Sequence, residues 1–116
     1  MMRDFKVCSA IVLIALIVTL IPSPSWAGDD TAKLYQTRCA VCHGADGHAE
    51  TPMGKKQSIP SFASSKFQKT PNAAIEDCIL TGGKEQKPSH AFSGKGITSE
   101  DAKKLATYLK ELGSRK

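Results

Sequence analysis

Residues 39–43 read Cys39-Ala40-Val41-Cys42-His43, a single C-x-x-C-H motif. Two thiols at this spacing on a helix end can each add to one vinyl group of a haem, and the histidine that follows is placed to ligate the iron from the same side. Three other chemistries use paired cysteines: a disulfide, a thioredoxin-like redox pair, and half of a zinc site. Thioredoxin chemistry wants a βαβ setting, which this helix-and-loop sequence lacks. Zinc wants a second C-x-x-C or a paired-histidine segment, whereas only the scattered Cys78, His48 and His90 remain to complete four ligands. The motif therefore predicts one covalent haem c, with Cys39 and Cys42 as thioether anchors and His43 as the proximal iron ligand.

Around the motif, helix signals alternate with long loops. A first helix is expected over residues 30–39, with Asp29 or Asp30 as its cap and Leu34 or Tyr35 on the face that leads into the cysteines. A second opens at Thr70-Pro71 and closes at Gly82-Gly83. Thr70 suits the cap and Pro71 the first helical position, while Ala74, Ile75, Cys78 and Ile79 share one face. The third follows the cap and acidic first turn of Ile97-Thr98-Ser99-Glu100-Asp101, with Ala102, Leu105, Ala106, Leu109 and Leu112 as one apolar stripe ending at Gly113. No segment alternates as a strand. Residues 44–61 and 82–97 read as loops, and a short helical turn is expected near residues 64–68. Loops this long in a small domain need something to order them, and a buried ligand would do so. The expectation is an all-α domain of three to four helices and two long loops wrapped around one haem.

The chain has 116 residues, and the first 27 read as an export signal. Residues 7–21 run 15 positions without a charge, short of the ~20 that a spanning helix needs. Pro22 and Pro24 then break the run before Ser25-Trp26-Ala27, where small residues suit a signal peptidase. Cleavage is expected after Ala27, leaving residues 28–116 as one domain; an uncleaved segment would instead be a membrane anchor. Cys8 sits at the start of the apolar run and would leave with it. A chain of about 90 residues has a thin core, to which a large apolar cofactor would add much. The 16 basic and 11 acidic residues of the whole chain become 14 and 10 without Arg3, Lys6 and Asp4, a net charge of +4. No run of like charges and no interleaved aromatics accompany it, which argues against nucleic acid and suits an acidic protein surface or anionic membrane heads.

With these features the sequence resembles the class I monohaem cytochromes c of the small bacterial type, over nearly the whole of residues 28–116. Tyr35 stands four residues before Cys39, where that family places an aromatic of its first helix. Ala106-Thr107-Tyr108-Leu109-Lys110 resembles its last helix, which packs on the first helix and the haem. Ile59-Pro60 is similar to its loop proline, which implies a Pro60 carbonyl accepting the proton of the other ring nitrogen of His43. Ala91-Phe92-Ser93-Gly94-Lys95 resembles the stretch after its distal ligand, so the resemblance implies that Tyr35, Phe92 and Tyr108 pack on the haem. Thr31 stands where the family usually has glycine at the crossing of the terminal helices, implying a slightly wider crossing.

The sixth ligand departs from the family's pattern, a methionine before a proline in the second loop. Lys87-Pro88 holds that place, and no methionine follows Met53. His90 is the expected distal ligand, since its loop passes the face opposite His43 and imidazole binds haem iron well. Lys87, Met53 and an open or water-bound position are the alternatives. Cys78 reads as an inert thiol on an apolar helix face, and His48 as a surface residue. The resemblance implies a single-electron carrier, not an enzyme, that serves exported or membrane redox proteins; the export signal implies the periplasm, and a monomer is expected. Lys55, Lys56, Lys84, Lys87 and Lys95 would offer it a basic ring for acidic partners. A haem-based sensor with an open or displaceable sixth position and a non-haem zinc module are the competing functions.

Overall fold

The structure, a computed structural model, describes residues 27–115 apart from Pro88. The expected export segment, except Ala27, lies outside the described residues, as does the proline of Lys87-Pro88. Among the described residues six α-helices follow one another: α1 Ala27–Arg38, α2 Ala40–His43, α3 Pro52–Lys56, α4 Ser65–Lys69, α5 Asn72–Thr81 and α6 Ser99–Ser114, with a 3₁₀ turn at Phe92–Lys95. Among the described residues there is no strand, and none of their helices is long and apolar enough to cross a membrane.

Helix α6 forms for the reasons its sequence suggests. Thr98 Oγ1 accepts from the Asp101 N–H at 3.1 Å and the Asp101 carboxylate accepts from the Thr98 N–H at 3.0 Å, closing a reciprocal capping box. Its stripe of Ala102, Leu105, Ala106, Leu109 and Leu112 is buried against α5 and α1. With Tyr35, Phe62, Ile75 and Ile97, the larger stripe residues make the core. The helix does not stop at Gly113. A side chain there would run into the Phe62 backbone, so this glycine lets the helix pass close over that segment and continue to Ser114.

Two other helix starts differ from expectation. Helix α1 begins at Ala27 and takes both Asp29 and Asp30 into its first turns, where the sequence placed them at its start. Helix α5 begins one residue later than expected, with Pro71 as an extended cap lacking any side-chain bond. Thr70 has the extended backbone of a cap, as Thr51 has before Pro52, but its side chain does not turn toward α5. It closes α4 instead, its Oγ1 donating to the Lys66 carbonyl at 2.9 Å. At the other end, Gly82 turns α5 off in the left-handed conformation, as the Gly82-Gly83 pair predicts.

The first long loop holds a helix of its own, α3. Thr51 Oγ1 caps it by accepting from the Gly54 N–H at 2.9 Å and donates to the Cys42 carbonyl at 2.7 Å, so the loop is tied to the cysteine motif. Gly54 sits so close to the backbone carbonyls of Ala49 and Cys42 that no side chain fits there. The Ala49 N–H donating to the His43 carbonyl at 2.8 Å and the Phe62 N–H donating to the Gly47 carbonyl at 2.9 Å fold the rest of the loop back beneath the motif.

Candidate haem site

The motif occupies one helical turn. Cys39 breaks from α1 with φ −121°, and its carbonyl accepts from the N–H groups of Cys42 and His43 at 3.2 and 3.0 Å. This turn brings Cys39, Cys42 and His43 onto one wall of a cavity of about 560 Å³, within the size range of sites for a small cofactor. Ile59 and Pro60 of the first loop, Ile75, Cys78 and Ile79 of α5, and Leu105 and Leu109 of α6 supply further wall, largely apolar. Lys87, His90 and Phe92 complete it from the second loop.

His43 and His90 face each other with ring centroids 6.1 Å apart and planes inclined by 21°. Two metal–imidazole bonds of about 2 Å, with about 1.2 Å from each nitrogen to its ring centre, span about 6.4 Å, close to the observed separation, so the gap suits one metal ion between the rings. Desolvation, then the neighbouring His90, pulls the His43 pKa down to about 4. Desolvation, then Lys87, lowers that of His90 as well. Both rings are thus neutral at neutral pH, the state in which imidazole binds a metal. His43 also stacks on Phe62 at 4.7 Å, a contact that no spacing in the sequence signals.

His43 Nδ1 is buried and has no hydrogen-bond partner. Pro60, expected to accept its proton, stands on the cavity wall without making that bond. A half-buried imidazole whose buried Nδ1 has no partner, a second imidazole facing it and two thiols on the same wall form a donor set that fits haem c. Burial pushes the Cys39 thiol up to about 11, against the lowering effect of Arg38.

The structure separates the remaining candidates. Phe92 lies on the wall. Tyr35 and Tyr108 stand behind it, ring to ring at 5.5 Å, with Tyr35 fully buried and its hydroxyl donating to the Gly44 carbonyl at 2.6 Å. Thr31 is buried on the same helix as Tyr35. Met53 is exposed on α3, its sulfur accepting from Gln57 Nε2 at 3.0 Å, and takes no part in the wall. Lys87 reaches the cavity, but its ammonium pairs with Glu85 at 2.9 Å, and that hydrogen bond raises its pKa and opposes the deprotonation ligation requires. His48 is half-buried rather than on the surface, with Nδ1 3.1 Å from Ser61 Oγ, because the loop folds back under the motif. Among the described residues no three His, Cys, Asp or Glu side chains are grouped to hold a metal ion.

The family model described as cytochrome c oxidase, cbb3-type, subunit III matches residues 27–109. The chain belongs to this family of c-type cytochrome domains. No curated protein matches the chain. As a c-type cytochrome domain it is a haem-binding, electron-transfer protein, and its all-helical architecture is that of a small cytochrome c.

Proposed function

We propose that this cytochrome domain holds a single haem c and passes one electron at a time between larger redox proteins outside the cytoplasmic membrane. Cys39 and Cys42 anchor the group by thioether bonds, and His43 and His90 ligate the iron from opposite faces. The observation that carries this reading is the pair of imidazoles facing each other at 6.1 Å across a cavity whose wall includes both cysteines. The haem, when bound, supplies the one-electron change. The apolar wall excludes water from it, and His43 and His90 tune it. Two imidazoles favour a lower potential than a histidine and methionine pair, because no thioether favours the reduced iron.

Delivery to the periplasm rests on residues 1–27 acting as a cleaved export signal. The chain works as a monomer and has no catalytic residue of its own. Acidic partners are proposed to meet the lysines around the second loop and α3. Two of these carry partial compensation, Lys55 from Glu50 at 3.1 Å and Lys87 from Glu85 at 2.9 Å, which leaves the steering field modest.

The test is His90→Ala in haem-loaded protein, read by absorption spectrum and redox titration. Loss of the low-spin spectrum with a changed potential is the expected result. An unchanged low-spin spectrum and potential would exclude His90 and turn attention to Lys87. A high-spin spectrum already present in the native protein would favour the sensor with an open sixth position.

A further inference from the structure

We propose that Cys78 is a positioning residue for the distal ligand: its sulfur engages Nδ1 of His90 and so presents Nε2 to the metal. This rests on the ligation by His90 proposed above. The Cys78 sulfur lies 3.6 Å from His90 Nδ1, within reach of a hydrogen bond to sulfur, and both side chains line the cavity.

The two partners are held independently. Cys78 is part of α5, and its carbonyl accepts from the Gly82 N–H at 3.0 Å as the helix closes. His90 is fixed by its N–H donating to the Lys87 carbonyl at 3.0 Å and by its own carbonyl accepting from Lys95 Nζ at 3.4 Å. Ala91 follows it in the left-handed region at φ 50°, turning the chain into Phe92–Lys95. The backbones that carry the two side chains are thus each held by bonds of their own.

A neutral imidazole carries one proton. If Nδ1 holds it and donates to sulfur, Nε2 keeps the lone pair that a metal needs; with the proton on Nε2 the ring cannot ligate through that atom. In a ring that ligates through Nε2, where Nδ1 must carry the proton, the sulfur is placed to accept that N–H, holding the ring's orientation and raising its basicity. The two cavity histidines differ in this respect, since Nδ1 of His43 has no partner. The apolar face that marks Cys78 as an inert thiol in the sequence conceals this role.

The experiment compares Cys78→Ala, Cys78→Ser and Cys78→Val with native protein and with His90→Ala, all haem-loaded, using free imidazole as a competing ligand and the reduction potential as a second readout. Imidazole binds only where His90 has left the iron, so a weaker distal bond appears as tighter imidazole binding. Losing such a supporting bond typically costs a metal site about 10–100-fold in affinity. Alanine and valine should therefore raise the apparent imidazole affinity about tenfold or more, and serine should recover much of it. A tenfold larger loss in the ferric than in the ferrous state raises the potential by about 59 mV. Equal affinities and potentials across the Cys78 series, with His90→Ala altered, would overturn the proposal and leave ligation by His90 standing. Valine restoring native behaviour as well as serine does would also overturn it, since packing alone would then explain the effect. An unaltered His90→Ala spectrum would remove the reading on which the proposal rests.

Discussion

Replacing Tyr35 by phenylalanine should destabilise the haem-loaded protein by about 1 kcal/mol and leave its potential unchanged. The Tyr35 side chain is fully buried, so its hydroxyl has no water to turn to and donates to the Gly44 carbonyl at 2.6 Å. Deleting the donor removes that bond, and a wholly orphaned carbonyl would add roughly 1–3 kcal/mol. The Gly44 carbonyl is not orphaned, however, because it also accepts from the Gly47 N–H at 3.2 Å. The loss therefore falls at the lower end. Phenylalanine keeps the ring contacts to Tyr108 at 5.5 Å and Phe62 at 6.4 Å, so no cavity term is expected. For a domain of this size, 1 kcal/mol corresponds to about 4–8 °C in Tm. Guanidinium unfolding, followed by haem absorbance and far-UV circular dichroism, should show a lower midpoint at unchanged slope. The potential stays constant because Tyr35 stands behind the cavity wall. A loss above about 3 kcal/mol, or a potential that moves with stability intact, would refute the reasoning.

Thr51→Val removes both the α3 cap and the bond to the Cys42 carbonyl, and should cost about 1–2 kcal/mol in denaturant unfolding; no loss would mean the tie is not formed. Gly54→Ala forces a side chain against the Ala49 and Cys42 carbonyls and should cost about 1–3 kcal/mol or reduce the yield of haem-loaded protein, whereas native stability and yield would contradict the close approach. Hydrogen bonds from Thr98, first from its backbone N–H, hold the Asp101 carboxyl below its ordinary value of 3.8. Its contribution is thus complete above that value and lost as pH falls through the lower folded one, so the deficit of Asp101→Asn relative to native protein should be largest near neutrality and shrink in acid. A deficit independent of pH would contradict this. Electron transfer with an acidic redox partner should slow between ~10 mM and ~200 mM salt, and indifference to salt would remove the lysine steering.

What the sequence made legible is what local rules control. Helix α6 combines a Thr98 cap, an acidic first turn and an unbroken stripe, and all three appear in place. The C-x-x-C-H turn and its proximity to His90 follow from the motif and from the order of the loops. Helix α3 was hidden because its five residues have no periodicity, and it is held by non-local bonds to the Cys42 carbonyl and by a glycine pressed against backbone. The aromatic character of Tyr35 and Tyr108 signals burial but not which neighbour each meets, so both lie one layer behind the expected surface. The contact between Cys78 and His90 joins residues on α5 and the following loop, and only the geometry of the intervening turn reveals it.

Intact-mass measurement under denaturing conditions tests the central claim most directly, using protein purified from cells that mature c-type cytochromes. Covalent attachment through Cys39 and Cys42 keeps the group on the unfolded chain, so the expected mass is that of a polypeptide beginning near Gly28 plus one haem. The mass of the bare polypeptide would contradict the account.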